Sequence, residues 1–129
     1  MYLLINTCQP EAELYLYDGQ SREAIDKWMA DRQLTESIHL HIKVMLESHG
    51  LKEKDLTGIG IFRGPGSFTG LRIGHSVANA FAYGFSLPIV GTIGEEWAVE
   101  AVSRLDSGEN DKIVMPEYGS QARVTLPRK

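Results

Sequence analysis

Gly64-Pro65-Gly66-Ser67-Phe68-Thr69-Gly70-Leu71-Arg72-Ile73-Gly74 is the stretch on which the reading of this chain turns. In front of it runs the apolar Leu56-Thr57-Gly58-Ile59-Gly60-Ile61-Phe62, and behind it Gly74-His75-Ser76-Val77-Ala78-Asn79-Ala80-Phe81-Ala82 repeats at helical spacing. The order is therefore strand, glycine-rich turn, helix. Glycines on both sides of Pro65 free the backbone while the proline fixes one corner, and Ser67 or Thr69 is placed to cap the helix. Backbone N–H groups at a helix start attract anions, which makes Gly64, Gly66, Ser67 and Thr69 candidate anion-binding residues. The lysine of a P-loop is missing, and no Gly-Lys-Ser/Thr occurs in the chain.

Toward the N-terminus, Leu3-Leu4-Ile5 is the centre of a first strand that ends at Asn6-Thr7, and Gln9-Pro10-Glu11 turns the chain. Ala12, Leu14 and Leu16 then alternate with Glu13, Tyr15 and Tyr17 as a second strand. Asp18-Gly19 is a hairpin signal, and Ser21 to Trp28 reads as a third strand in which helix propensity competes. From Leu34 to His49, Leu34, Ile38, Ile42, Met45 and Leu46 recur at helical spacing, with Asp31 or Thr35 near the start and Gly50 just past the end. Leu40 and Val44 fall on the other side of that helix. A helix apolar on two faces has one to offer a partner.

On the helix after the turn, Ile73, Val77, Ala80 and Phe81 make one apolar face and Leu71, Ala78 and Ala82 a neighbouring one. Arg72, His75, Ser76, Asn79 and Tyr83 remain as a polar strip. Gly74, Ala78 and Ala82 lie four apart, a small-residue stripe that lets a second helix approach closely. Leu87-Pro88-Ile89-Val90-Gly91 follows as a short buried strand, Thr92-Ile93-Gly94-Glu95 has the form of a capping box, and Trp97, Ala98, Ala101, Val102 and Leu105 mark a third helix. Asp106 to Asp111 is a polar break, and Ile113-Val114-Met115 and Arg123-Val124-Thr125-Leu126 are short extended candidates. An α/β architecture follows, with a mixed sheet in which an antiparallel meander feeds parallel β-α-β units.

At 129 residues the chain has room for one core, and 43% hydrophobic with 23% charged residues is ordinary for a globular protein. No apolar run approaches the roughly 20 residues of a membrane helix. The N-terminus enters a strand without a basic region or cleavage site, and Cys8 is the only cysteine, which together point to the cytoplasm. The net charge of −4 is uneven: from Lys112 onward four basic residues (Lys112, Arg123, Arg128, Lys129) face one acid, Glu117. Four cations without interleaved aromatics read as a solvated terminus before they read as an RNA footprint.

No active site assembles from the residue types. His39 and His41 point about 200° apart on a helix, and neither they nor His49, His75 and Cys8 form a metal-ligand spacing. Cys8 reads as a small core residue. Ser67 lacks the spacing of a hydrolase elbow, and Glu95-Glu96 lie in a helix's first turn, where the helix dipole accounts for them. No catalytic residue, metal or cofactor is expected.

The run from Gly64 to Gly74 resembles the signature of the TsaB (YeaZ) proteins, which support threonylcarbamoylation of adenosine 37 in tRNA. The similarity extends to Leu4-Ile5-Asn6-Thr7, to Thr35-Glu36 with the stripe behind it, to Leu87 through Gly91 and to the helix from Glu95 to Leu105. Pro116-Glu117-Tyr118 and Val124 to Pro127 loosely resemble the family's C-terminal elements. The resemblance implies an actin-like (ASKHA, ribonuclease H-like) lobe over residues 1–105, a turn over 106–111 where family members carry a second lobe, and an extended basic tail over 112–129. It implies a non-catalytic scaffold whose partners are a TsaD-like transferase and a TsaE-like ATPase, a homodimer when alone, with tRNA met indirectly and no membrane. The implied partner-binding residues are Leu40, His41, Val44, Ile73, Gly74, Val77, Ala78 and Phe81. Asn6 stands where nucleotide-using relatives carry an aspartate, so no charge is there to hold Mg²⁺.

Overall fold

Continuous buried runs in three strands and alternating ones in two build one five-stranded sheet in the computed structural model, which describes residues 1–19, 21–30 and 33–118. The strands are β1 (Tyr2–Asn6), β2 (Glu11–Asp18), β3 (Ser21–Met29), β4 (Gly58–Phe62) and β5 (Ile89–Thr92), and their spatial order is β3-β2-β1-β4-β5. The first three pair antiparallel as a meander, whereas β1 with β4 and β4 with β5 are parallel. The mixed sheet expected from the sequence is thus present, with β3 a full strand despite its helix-prone composition. From Ala24 onward its even-numbered residues are half-buried and its odd-numbered ones exposed, and this period of two decides the matter.

Helices cover both faces. Leu3, Ile5, Leu14, Leu16, Ile59, Ile61 and Ile89 point to the side covered by α1 (Leu34–Ser48) and α2 (Phe68–Gly84), where Leu34, Ile38, Ile42, Met45 and Leu46 of α1 complete the larger core. Leu4 and Val90 point to the other side and meet Trp97, Ala101, Val102 and Leu105 of α3 (Trp97–Asp106). The approach of α3 depends on Gly60: a Cβ there would lie 2.5 Å from Leu4 Cδ2 and 3.0 Å from Ala101 Cβ. Glycine in this strand is the space into which the helix sinks.

Three local expectations need correction. Thr92 to Glu95 does not form a capping box: α3 begins at Trp97 behind Glu96, and the Thr92 hydroxyl instead donates to the Trp97 carbonyl at 2.7 Å. Gln33, not Asp31 or Thr35, precedes α1, and no side chain caps that helix. Ile113-Val114-Met115 is not a strand. It is a strap over the β4–β5 side, anchored by Asp111 N–H to the Ile89 carbonyl (2.7 Å) and by a double bond between Asn79 and Val114. Residues 119–129, with Arg123, Val124 to Leu126, Arg128 and Lys129, lie outside the described residues, as does Asp31.

Candidate functional site

The end of β1 and the start of α2 are built into one another. Ser67 is the N-cap of α2, its hydroxyl accepting from Gly70 N–H at 3.3 Å, as the sequence indicates. Its own N–H donates to the Cys8 carbonyl at 2.7 Å, and the Thr7 hydroxyl donates to the Gly70 carbonyl at 2.7 Å. Asn6 turns its side chain inward along the chain to accept from Cys8 N–H at 3.0 Å. A residue with a carbonyl oxygen at this place organises the backbone after β1.

The glycines of the signature are what permit this fit. A Cβ on Gly66 would meet Cys8 Cβ and the Cys8 carbonyl at 2.5 Å, and one on Gly70 would lie under the Thr7 carbonyl. A Cβ on Gly74 would collide with the Thr7 hydroxyl. Gly66, Gly70 and Gly74, four apart, therefore all face residues 7 and 8. The small-residue stripe continues through Ala78 and Ala82, both buried in the lobe's own core. At its glycine end it brings α2 down on Thr7 at the end of β1. Gly64 serves the opposite side: at φ +123° it leaves room for the Glu117 carbonyl, and Glu117 N–H in turn donates to the Arg63 carbonyl at 2.8 Å.

Of the four candidate anion contacts, Ser67 and Thr69 line a cavity of about 260 Å³ together with Gln9, Pro10, Ala30, Leu34, Gly70 and Ile73. Gly64 and Gly66 are engaged elsewhere. No basic side chain is among the described lining residues. Cys8, half-buried beside this junction, has its thiol pKa raised by burial and by the Glu13 carboxylate. The rise disfavours the thiolate, which is the nucleophilic form of cysteine.

The helical layer sorts the other candidates. Leu40 and Val44, one turn apart on α1, are 60% and 51% exposed and form an outward apolar pair. His41 lies between α1 and β3, its Nδ1 2.7 Å from Asp26 Oδ2 and its ring stacked on Trp28 at 3.8 Å. Ile73 and Phe81 are partly buried against the core, whereas Gly74, Val77 and Ala78 are buried in it. His75 also departs from expectation: it is only 3% exposed and is not part of a polar strip. Its Nδ1 donates to the Leu71 carbonyl at 2.7 Å, leaving Nε2 buried without a partner, and burial followed by the nearby Arg63 charge lowers its pKa. Asn79, one turn on, is equally committed, with Nδ2 donating to the Val114 carbonyl and Oδ1 accepting from Val114 N–H, both at 2.9 Å.

Among the described residues no group of three or more His, Cys, Asp or Glu side chains is arranged for a metal, and no helix is long and apolar enough to cross a membrane.

These features have relatives. The chain is 32% identical over 95 residues to the tRNA threonylcarbamoyladenosine biosynthesis protein TsaB of Haemophilus influenzae, covering 74% of this chain and 39% of that protein. It is 38% identical over 63 residues to the tRNA N6-adenosine threonylcarbamoyltransferase of Geotalea daltonii, covering 49% of this chain and 18% of that enzyme. YeaZ from Pseudomonas aeruginosa superposes with a TM-score of 0.66 at 22% identity, over 71% of this chain and 43% of its own, which places the fold with the actin-like lobes. The chain thus spans less than half of the length of these relatives. A family model described as TsaD, tRNA N6-adenosine threonylcarbamoyltransferase, matches residues 28–111, a span running from the end of β3 through α1, the glycine signature, α2 and α3. With that span covering more than half of the sequence and TsaB among its relatives, the chain belongs to the threonylcarbamoyltransferase (TsaD) family as a member of TsaB (YeaZ) type.

Proposed function

We propose that this protein serves tRNA threonylcarbamoyladenosine biosynthesis as a docking subunit, binding a TsaD-like transferase through its α1–α2 layer and performing no chemistry itself. The observation that carries this is the outward pair Leu40 and Val44 on a helix whose opposite stripe is fully used by the core. Exposed aliphatic side chains one turn apart fit helix-on-helix association. His41, Ile73 and Phe81 flank this layer as partly buried residues; Gly74, Val77 and Ala78 support it from beneath. A TsaE-like ATPase joins the same assembly, tRNA is met through the transferase, and the cytoplasm is the compartment where these meet.

The test is co-purification of the full chain with the TsaD-like transferase of the same source, followed by the V44D variant. Loss of co-elution with unchanged melting supports the reading. A wild-type chain that never co-elutes and does not alter tRNA modification overturns it. A truncated apolar contact at the centre of such an interface costs above about 1 kcal/mol, and a buried charge more.

The cavity beside Ser67 and Thr69 favours a second reading, a nucleotide-responsive switch that uses the first turn of α2 as an anion contact. Calorimetric titration with ATP and Mg²⁺ separates the two: heat of binding lost in T69V supports the switch, and no heat removes it.

A further inference from the structure

Two non-glycine residues of the described chain hold left-handed backbone, Ser86 at φ +56° and Lys112 at φ +71°, and both line the same groove. This groove lies between the end of α2 and the strap and shares no residue with the Leu40–Val44 pair. Its volume is about 710 Å³, within the roughly 300–1,000 Å³ of small-molecule sites. Side chains with a Cβ are uncommon at positive φ and cost free energy there. Ser86 is the residue after the C-cap of α2. Its N–H donates to the Tyr83 carbonyl and Leu87 N–H to the Ala82 carbonyl, the two bonds of a Schellman ending, in which glycine is the favoured residue. Serine in that place is the less stable choice for the turn, and it puts a hydroxyl on the groove.

Lys112 is set in place by Asn110. Asn110 Oδ1 accepts from Ile89 N–H at 3.1 Å and from Lys112 N–H at 2.8 Å, which fixes the amide and leaves its two Nδ2 hydrogens without an acceptor among the described residues. Lys112 is the one charged residue of the described lining. Asp111 beside it is answered by Arg104 and by Gly91 N–H. At the negative end of α2, the carbonyls of Phe81, Ala82 and Tyr83 are taken by the N–H groups of Phe85, Leu87 and Ser86, so neither neighbour cancels the ammonium. Ala80, Leu87 and Ile113 supply an apolar wall. We propose that this groove binds a small carboxylate carrying a short apolar chain. The carboxylate lies against Lys112, Asn110 Nδ2 and the Ser86 hydroxyl, and the chain runs along the apolar wall. One cation close to a helix C-terminus matches a single negative charge, whereas a phosphate dianion leaves a charge unanswered beside the helix's negative end.

The probe is sodium hexanoate, titrated into the full chain at constant ionic strength and followed by amide chemical shifts. Saturable shifts of the Ser86, Leu87, Asn110 and Lys112 amides are expected, with a dissociation constant of about millimolar order for so small a ligand. Hexylamine, of equal chain length and opposite charge, leaves those amides in place, and hexyl phosphate binds more weakly than hexanoate. K112Q weakens hexanoate binding about tenfold or more. S86G weakens it about threefold or more while the melting temperature stays at or above that of the parent, because glycine suits the turn. Affinity lost without stability lost separates a ligand contact from a purely structural residue. The proposal is overturned by hexanoate shifts that do not saturate or that fall outside the groove, by hexylamine moving the same amides as strongly, by hexyl phosphate binding more tightly than hexanoate, or by K112Q and S86G proteins that bind hexanoate as the parent does.

Discussion

Replacing Gly70 by alanine sets two terms of opposite sign against each other. Helix propensity alone favours alanine by about 0.8–1.0 kcal/mol inside a helix. The structure opposes it, because the new Cβ would lie under the Thr7 carbonyl, a backbone atom at the end of a central strand that cannot rotate away. Displacing such a contact costs about 1–3 kcal/mol, and moving α2 outward also stretches the Thr7 hydroxyl bond to the Gly70 carbonyl, worth about 1 kcal/mol. The net expectation for G70A is destabilisation by about 1–3 kcal/mol. At about 3–5 °C per kcal/mol for a chain of this length, the melting temperature falls by roughly 3–15 °C. G84A is the control within the same helix, since nothing lies within 4 Å of a Cβ there and only the propensity gain, at most about 1 kcal/mol, remains. Thermal and urea unfolding followed by far-ultraviolet circular dichroism measure both variants. A G70A protein as stable as the parent, or G84A and G70A shifting in the same direction by the same amount, refutes the account of the signature as a close-approach device.

Further outcomes follow from other parts of the fold. G60A places a methyl group between Leu4 and Ala101 and loosens α3, costing about 1–3 kcal/mol in urea unfolding and exposing Trp97 to a fluorescence quencher. N79A removes both bonds to Val114, so that segment 112–117 is cut by protease under native conditions and the Val114 amide loses hydrogen-exchange protection, with global stability lower by about 1–3 kcal/mol. His75, whose folded pKa lies below its ordinary value, favours the neutral form in the folded state. Its stabilising effect is therefore complete above about pH 6.5 and is lost as pH falls toward the folded pKa, at up to about 1.4 kcal/mol per pH unit. Urea midpoints measured from pH 7.5 to 5 in wild type and H75L test this, and an equal slope in both counts against it.

Much of this was readable from local pattern. The alternation of Ala12, Leu14 and Leu16 gave β2, and all five residues of the Leu34 to Leu46 stripe are buried as their spacing indicates. What local pattern does not contain is the identity of the surface a helix face meets. Spacing by four set Gly74, Ala78 and Ala82 on one line, but Thr7, their neighbour at the glycine end, is more than sixty residues away in sequence. His75 and Asn79 fell on a polar strip by periodicity; they are enclosed because Arg63 and the strap around Val114 return to that side of α2, and a strap without regular structure leaves no period to read. The Thr92–Glu95 pair failed for a comparable reason. Gly94, at φ +89°, carries the chain through an extra turn, and the helix starts four residues later than the capping pattern requires.

The same geometry changes the meaning of the glycine-rich turn. An anion cradle needs free N–H groups, and here the Ser67 N–H is given to Cys8, the Gly70 N–H to the Ser67 hydroxyl and the Leu71 N–H to the Ser67 carbonyl. A turn tied through Ser67 N–H to the Cys8 carbonyl just beyond β1, with Ser67 also capping the helix, fixes position. It locks α2 to the end of β1, α2 and α1 share one core above the sheet, and that core holds the inner stripe of α1 while Leu40 and Val44 stay outward. A preformed apolar surface loses little conformational freedom on association, so more of its contact energy is left as affinity. The signature that first suggests ligand chemistry is the anchor of the helical layer that carries the proposed docking face.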